Sequence, residues 1–113
     1  MKRGRGAIAE GNRPMMPSVL LVESDADLRS AITFTLSRAE YRCDAVASSG
    51  DALLKLRNHQ YTYILVDVDS VEPLELDDAL GAQTSKVVFI TEDDNPDTLQ
   101  KPFDKEELLA HLR

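Results

Sequence analysis

Apolar residues between positions 18 and 112 fall into short segments of two alternating kinds, and this alternation constrains the fold more than any other feature of the chain. Ser18-Val-Leu-Leu-Val22 is a brief continuous apolar run, the pattern of a strand buried on both faces. Leu28, Ile32, Leu36 and Ala39 then recur about every four residues, which predicts a helix over 26–39, with Ser24 or Asp25 able to cap it. Tyr41–Val46 reads as a second strand. Ser49-Gly50-Asp51 opens a second helix, whose Ala52, Leu53 and Leu56 share a face. Tyr61–Val66 is a third strand running straight into Asp67, and 74–81 is a short helix ended by Gly81. Lys86–Ile90 is a fourth strand, 97–100 a brief fifth, and Asp104–Leu112 a last amphipathic helix capped by Asp104.

Strands alternating with helices imply an α/β fold: a doubly wound parallel sheet of five strands, with right-handed crossovers and helices on both faces. Ligands of such sheets bind beyond the carboxyl ends of the strands. The groups placed there are Glu23 after the first strand, Asp67 after the third and Thr91 after the fourth, with Lys101 before Pro102 after the fifth. Carboxylates that converge at one rim repel each other unless a hard divalent cation joins them. A hydroxyl and an ammonium beside that cation suit a phosphoryl group, whose charge is spread over three oxygens.

Composition narrows the function classes. At 113 residues the chain is long enough for one core and too short for separate substrate and cofactor domains. With 42% apolar and 29% charged residues it is neither a disordered polymer nor a membrane protein, and no window approaches a membrane span. Its single cysteine, Cys43, excludes a disulfide framework or a cysteine zinc site, suits a reducing cytoplasm, and reads as core filling. His59 and His111 lie near helix ends and read as exposed residues rather than metal ligands. Residues 1–16 carry four basic side chains against one acidic and no apolar periodicity, the pattern of a flexible basic arm. Either a nucleic-acid arm or a start codon placed upstream of Met15 and Met16 accounts for it. Residues 17–113 carry nine basic against nineteen acidic side chains, a net of −10, which opposes direct nucleic-acid binding.

Five segments, in order, resemble the receiver domain of two-component response regulators. They are Val19-Leu-Leu-Val-Glu-Ser-Asp-Ala-Asp-Leu-Arg29, Ala47-Ser-Ser-Gly-Asp-Ala-Leu53, Tyr61–Val68, Val87–Thr91 and Asp97–Phe103, within a receiver-like region of residues 17–113. The resemblance implies the flavodoxin-like receiver fold. It also implies that a histidine kinase or phosphotransfer protein phosphorylates Asp67 in a cytoplasmic phosphorelay, and that Mg²⁺ is bound by Glu23, Asp67 and the backbone carbonyl of Asp69. Thr91 and Lys101 are then the residues that contact the phosphoryl group, and the Lys101–Pro102 bond is expected to be cis. Such a domain takes part in phosphoryl transfer without being a conventional enzyme.

Departures from the pattern are as informative. The second acidic position is Ser24, which removes a charge from the metal site and lowers the expected hold on Mg²⁺. Asp25, next in sequence, is the candidate substitute, and the acidic side chain of Asp69 is a second way to restore the lost charge. Pro73 stands six residues after Asp67, and no glycine occurs before Gly81, so the loop beside the acceptor must differ. Only Glu92–Gln100 separates Thr91 from Lys101, with Glu92-Asp-Asp-Asn-Pro96 as the whole crossover, too short for a helix. The family's fourth helix, between its fourth and fifth strands, is therefore expected to be missing or replaced by a short loop. The aromatic switch position falls on Thr98.

Each site residue also has a plainer reading. Asp67 could start a turn, Glu23 and Asp25 could complement a helix dipole, Thr91 could end a strand, and Lys101 could neutralise nearby carboxylates. Two functional readings follow, beside a third, a basic-armed DNA-binding protein, which the net charge of −10 over residues 17–113 and the absence of a helix-turn-helix pattern oppose. In the first, an atypical receiver is phosphorylated on Asp67 and signals by contact with a downstream protein. In the second, a pseudo-receiver serves as a protein-binding module independent of phosphorylation. The altered surface leaves homodimerisation open. No effector sequence follows Arg113, so output is expected through protein contact unless the sequence is a piece of a longer protein.

Overall fold

The computed structural model describes residues 16–93 and 98–112. The basic leader up to Met15, most of the expected arm, lies outside them, as do residues 94–97 of the crossover. Five strands form one parallel sheet in the order β2-β1-β3-β4-β5: β1 Ser18–Val22, β2 Arg42–Val46, β3 Tyr63–Asp67, β4 Lys86–Thr91 and β5 Leu99–Gln100. The helices are α1 Ala26–Arg38, α2 Ser49–Asn58, α3 Asp77–Gly81 and α4 Lys105–Ala110, with a 3₁₀ turn at Pro73–Leu76 ahead of α3. This is the expected doubly wound architecture.

The continuous apolar runs divide their side chains between two cores because successive residues of a strand point to opposite faces. Val19, Leu21, Leu65, Val88 and Ile90 face one layer with Ile32 and Leu36 of α1 and Leu108 of α4. Leu20, Val22, Ile64 and Val66 face the other with Ala52 and Leu56 of α2 and Leu76 of the 3₁₀ turn. Three of the four described helices, α1, α2 and α4, start where a side-chain cap satisfies free N–H groups. Asp25 Oδ1 accepts from Asp27 N and Leu28 N, Ser48 Oγ accepts from Asp51 N, and Asp104 forms a capping box with Glu107.

Between β4 and β5 only residues 92–98 intervene, which leaves no room for a crossover helix. The fifth strand is correspondingly brief, at Leu99–Gln100, and the Lys101–Pro102 bond is cis as expected. The last helix is shorter than 104–112, and His111 beyond it is half-buried rather than exposed, with Nδ1 3.0 Å from the Glu107 carbonyl oxygen. Cys43 packs against the core as filling, and burial pushes its thiol up, away from a reactive thiolate.

Glycine 81 does not act as a left-handed helix stop; it closes α3, and Ala82 after it is right-handed. The left-handed position lies instead after α1, at Glu40, with φ of 68°. There Glu40 N donates to Ser37 O at 3.1 Å and Tyr41 N to Leu36 O at 2.9 Å, the paired bonds of a Schellman ending. A side chain with a Cβ is disfavoured in that conformation. Glu40→Gly is therefore expected to stabilise the domain by about 0.5–1 kcal/mol, measured by urea unfolding. A loss of stability would contradict this account of the turn.

Candidate functional site at the carboxyl ends of the strands

Strand register brings the polar strand-end residues together. Val22 of β1 pairs with Val66 of β3, so Glu23 and Asp67 emerge at one level, and Asp67 pairs with Ile90, which places Thr91 one residue further along β4. Glu23 N donates to Val46 O at 3.0 Å, which carries the chain beyond β1 in register with β2. Lys101 N donates to Thr91 O at 2.8 Å and so fixes the lysine beside the end of β4. Glu23, Asp67 and Thr91 are all buried.

The Lys101 ammonium lies 2.6 Å from Asp67 Oδ2, on a carboxylate with no solvent exposure. Asp67 Oδ1 accepts from Asp69 N at 2.9 Å. Desolvation, Asp67, Asp69 and Glu23 all act on Lys101: burial alone pushes its ammonium down, but hydrogen bonding and attraction from Asp67, followed by the other two carboxylates, hold it above its ordinary value. The lysine is thus a fixed positive charge in the site.

Glu23 Oε2 accepts from Asp25 N at 3.0 Å and from Ser70 Oγ at 3.0 Å. Its other oxygen, Oε1, is buried with no hydrogen-bond partner. Burial, and then the side-chain contact with Asp67, push the Glu23 carboxyl up to about 7. A buried carboxylate oxygen without a partner beside a second carboxylate is the chemical situation a hard cation resolves. Among the described residues no three Asp, Glu, His or Cys side chains are grouped to hold a metal ion, in keeping with Ser24 at the second acidic position. Two carboxylates still suffice for Mg²⁺, which keeps several of its waters.

Asp25 Oδ1 is taken by the N–H groups that open α1. The Asp69 carboxylate is directed to the β4 side of the site: it accepts from Thr91 Oγ1 at 3.0 Å and Glu92 N at 2.7 Å, with Lys101 Nζ at 3.4 Å. Partial burial opposes its charge, but the hydrogen bonds from Glu92 N and Thr91, then Lys101, outweigh this and hold the carboxyl below its ordinary value. Two further residues serve the site without a sequence signal. Ser70 Oγ also accepts from Ser24 N at 3.2 Å, and Arg29 Nη1 donates to the Glu23 and Ser24 carbonyl oxygens at 2.9 and 3.3 Å.

No family model matches the sequence. The chain is 29% identical to the response regulator ArlR of Staphylococcus aureus over an alignment of 113 residues, covering 87% of this chain and 52% of that protein. It therefore spans about half the length of the curated relatives it matches. Its fold is similar to the chemotaxis response regulator CheY4 of Vibrio cholerae, with a TM-score of 0.78 at 25% identity, covering 86% of this chain and 96% of that one. It also resembles the receiver domain of the sensor histidine kinase PA1611 of Pseudomonas aeruginosa, solved with a magnesium ion in its active-site cleft. That match has a TM-score of 0.71 at 23% identity and covers 86% and 94% of the two chains. With the strand order and strand-end residues already described, these likenesses define the class: the chain has the receiver fold and is similar to two-component response regulators.

The raised Glu23 carboxyl sets a pH dependence. Folded Glu23 binds its proton more tightly than unfolded Glu23, so its contribution to stability is fully present below pH 4.5 and is lost as pH rises through about 7. In chelator-treated buffer, Glu23→Gln should remove a stability decline on the order of 2 kcal/mol across that window, measured by urea unfolding at successive pH values. An unchanged pH slope in the variant would contradict the assignment.

Proposed function

We propose that this receiver accepts a phosphoryl group on Asp67 from a phosphohistidine of a kinase or phosphotransfer protein, and passes the signal on through protein contact. One observation carries the reading: a fully buried carboxylate at the end of the central strand, held 2.6 Å from a lysine ammonium and open to a second, partnerless carboxylate oxygen. In the transfer, an Asp67 oxygen forms the new bond to phosphorus. The bond from phosphorus to the donor nitrogen breaks, and its electron pair returns to the imidazole. The carboxylate has no proton to lose, so the step needs no general base. What the chain must supply is alignment and compensation of charge on the phosphoryl oxygens.

Lys101 supplies the positive charge, and the Thr91 hydroxyl and the main chain after it supply donors. Glu23, Asp67 and the backbone carbonyl of Asp69 would hold Mg²⁺, which when bound neutralises charge between acceptor and phosphoryl oxygens. The partnerless Glu23 Oε1 supports that donor set, while Ser24 in place of an acid predicts weak binding. We read the domain as a cytoplasmic signalling module rather than a conventional enzyme. Its partners would be a histidine kinase or phosphotransfer protein and a downstream protein, with homodimerisation through the altered β4–β5 surface as a further route. A second reading, a binding module that has abandoned phosphoryl chemistry, draws on Ser24 and on the short β4–β5 crossover.

Incubation with acetyl phosphate and Mg²⁺, followed by intact-mass measurement, separates the two. The phosphoacceptor reading expects one added phosphoryl group, with acetate leaving, and none on Asp67→Ala. Lys101→Ala should slow the reaction about a hundredfold, the typical effect of removing one charge-stabilising donor. An unmodified wild-type protein that also fails to bind Mg²⁺ would establish the second reading.

A further inference from the structure

Asp69 contributes a carboxylate that the acceptor chemistry does not require. Its main-chain N–H donates to Asp67 Oδ1, so the loop after β3 is folded against the acceptor. From there its side chain gathers the Thr91 hydroxyl at 3.0 Å, the Glu92 N–H at 2.7 Å and the Lys101 ammonium at 3.4 Å. Lys101 is shared with Asp67 itself, and Thr91 and Glu92 lie at the strand end adjacent to Asp67.

A phosphoryl group on Asp67 would present three anionic oxygens to this same corner, and charge-assisted donors of this kind are what stabilise it. A hydroxyl has one proton and a main-chain N–H one, so they cannot serve the Asp69 carboxylate and a phosphoryl oxygen in full at once. Charge adds to the competition, because Glu23, Asp67 and Asp69 already face a single lysine. We propose, on the reading of Asp67 as acceptor, that the Asp69 carboxylate is a built-in occupant of the phosphoryl pocket, which an incoming phosphoryl group must displace. The displacement is sterically open, since the Asp69 side chain is 32% exposed and can turn to water. Asp69 would thereby slow phosphoryl acceptance and keep Thr91 and Lys101 engaged in the unmodified domain, as a positioning residue rather than a catalytic one.

The test compares wild type with Asp69→Asn, which keeps the side-chain shape and removes the charge, and with Asp69→Ala. The rate of adduct formation with acetyl phosphate and Mg²⁺ is read by intact mass, and hydrogen exchange of the Glu92 amide by NMR. Release of a charge-assisted contact should make Asp69→Asn react roughly tenfold faster than wild type. The Glu92 amide should be protected in wild type and exchange freely in Asp69→Ala. Equal or slower reaction of Asp69→Asn overturns the proposal. If none of the three proteins forms an adduct, the acceptor reading fails, and the exchange data decide the remainder. Protection lost only in Asp69→Ala upholds Asp69 as the resident anion, whereas an unprotected Glu92 amide in wild type overturns it.

Discussion

The contact between Asp67 and Lys101 is the interaction on which the site depends. A carboxylate with no exposure at the end of the central strand is costly unless a charge of opposite sign reaches it, and the lysine does so at 2.6 Å. For that to happen, β5 must lie beside β4 with its carboxyl end at the same rim, although it has only two residues, Leu99 and Gln100. The main-chain bond from Lys101 N to Thr91 O makes the placement independent of a long strand. A shortened crossover therefore removes a helix without removing the lysine.

Around this pair the charge balance has shifted relative to a site with two acids after the first strand. Ser24 withdraws one negative charge next to Glu23, and Asp69 adds one on the opposite side, against Thr91 and Glu92. The two changes do not cancel, because they act on different groups. The first weakens the hold on a cation, and the second occupies donors an anion would use. Ser70 partly repairs the first by donating to Glu23 Oε2 and accepting from Ser24 N, which orders the region with neutral groups rather than charge.

Most of the fold is legible in the sequence because each element is locally consistent. The apolar runs of β1 and β3, the four-residue spacing of α1 and the capping residues Asp25 and Asp104 agree with the layers they enter. Glu23, Asp67, Thr91 and Lys101 are legible for a related reason: a parallel sheet collects whatever polar residue follows each strand. What escapes the sequence depends on loop geometry. Nothing near Ser70 announces a bond to Glu23, 47 residues away, and nothing near Arg29 announces its grip on the Glu23 and Ser24 carbonyls. The left-handed turn residue is Glu40 rather than a glycine because the Schellman bonds and the packing of Tyr41 override local preference. The direction of the Asp69 side chain is likewise decided by the fold of the β3 loop, not by its acidity.

The central claim is that Asp67 is the phosphoryl acceptor and that Lys101 and Thr91 converge on it. A crystal structure of the domain with Mg²⁺ and beryllium fluoride tests it most directly. The account predicts the fluoride complex on an Asp67 oxygen, in contact with the Lys101 ammonium and the Thr91 hydroxyl, with the Asp69 side chain turned outward. Beryllium fluoride bound elsewhere, or an Asp67 carboxylate left bare under saturating conditions, would contradict it.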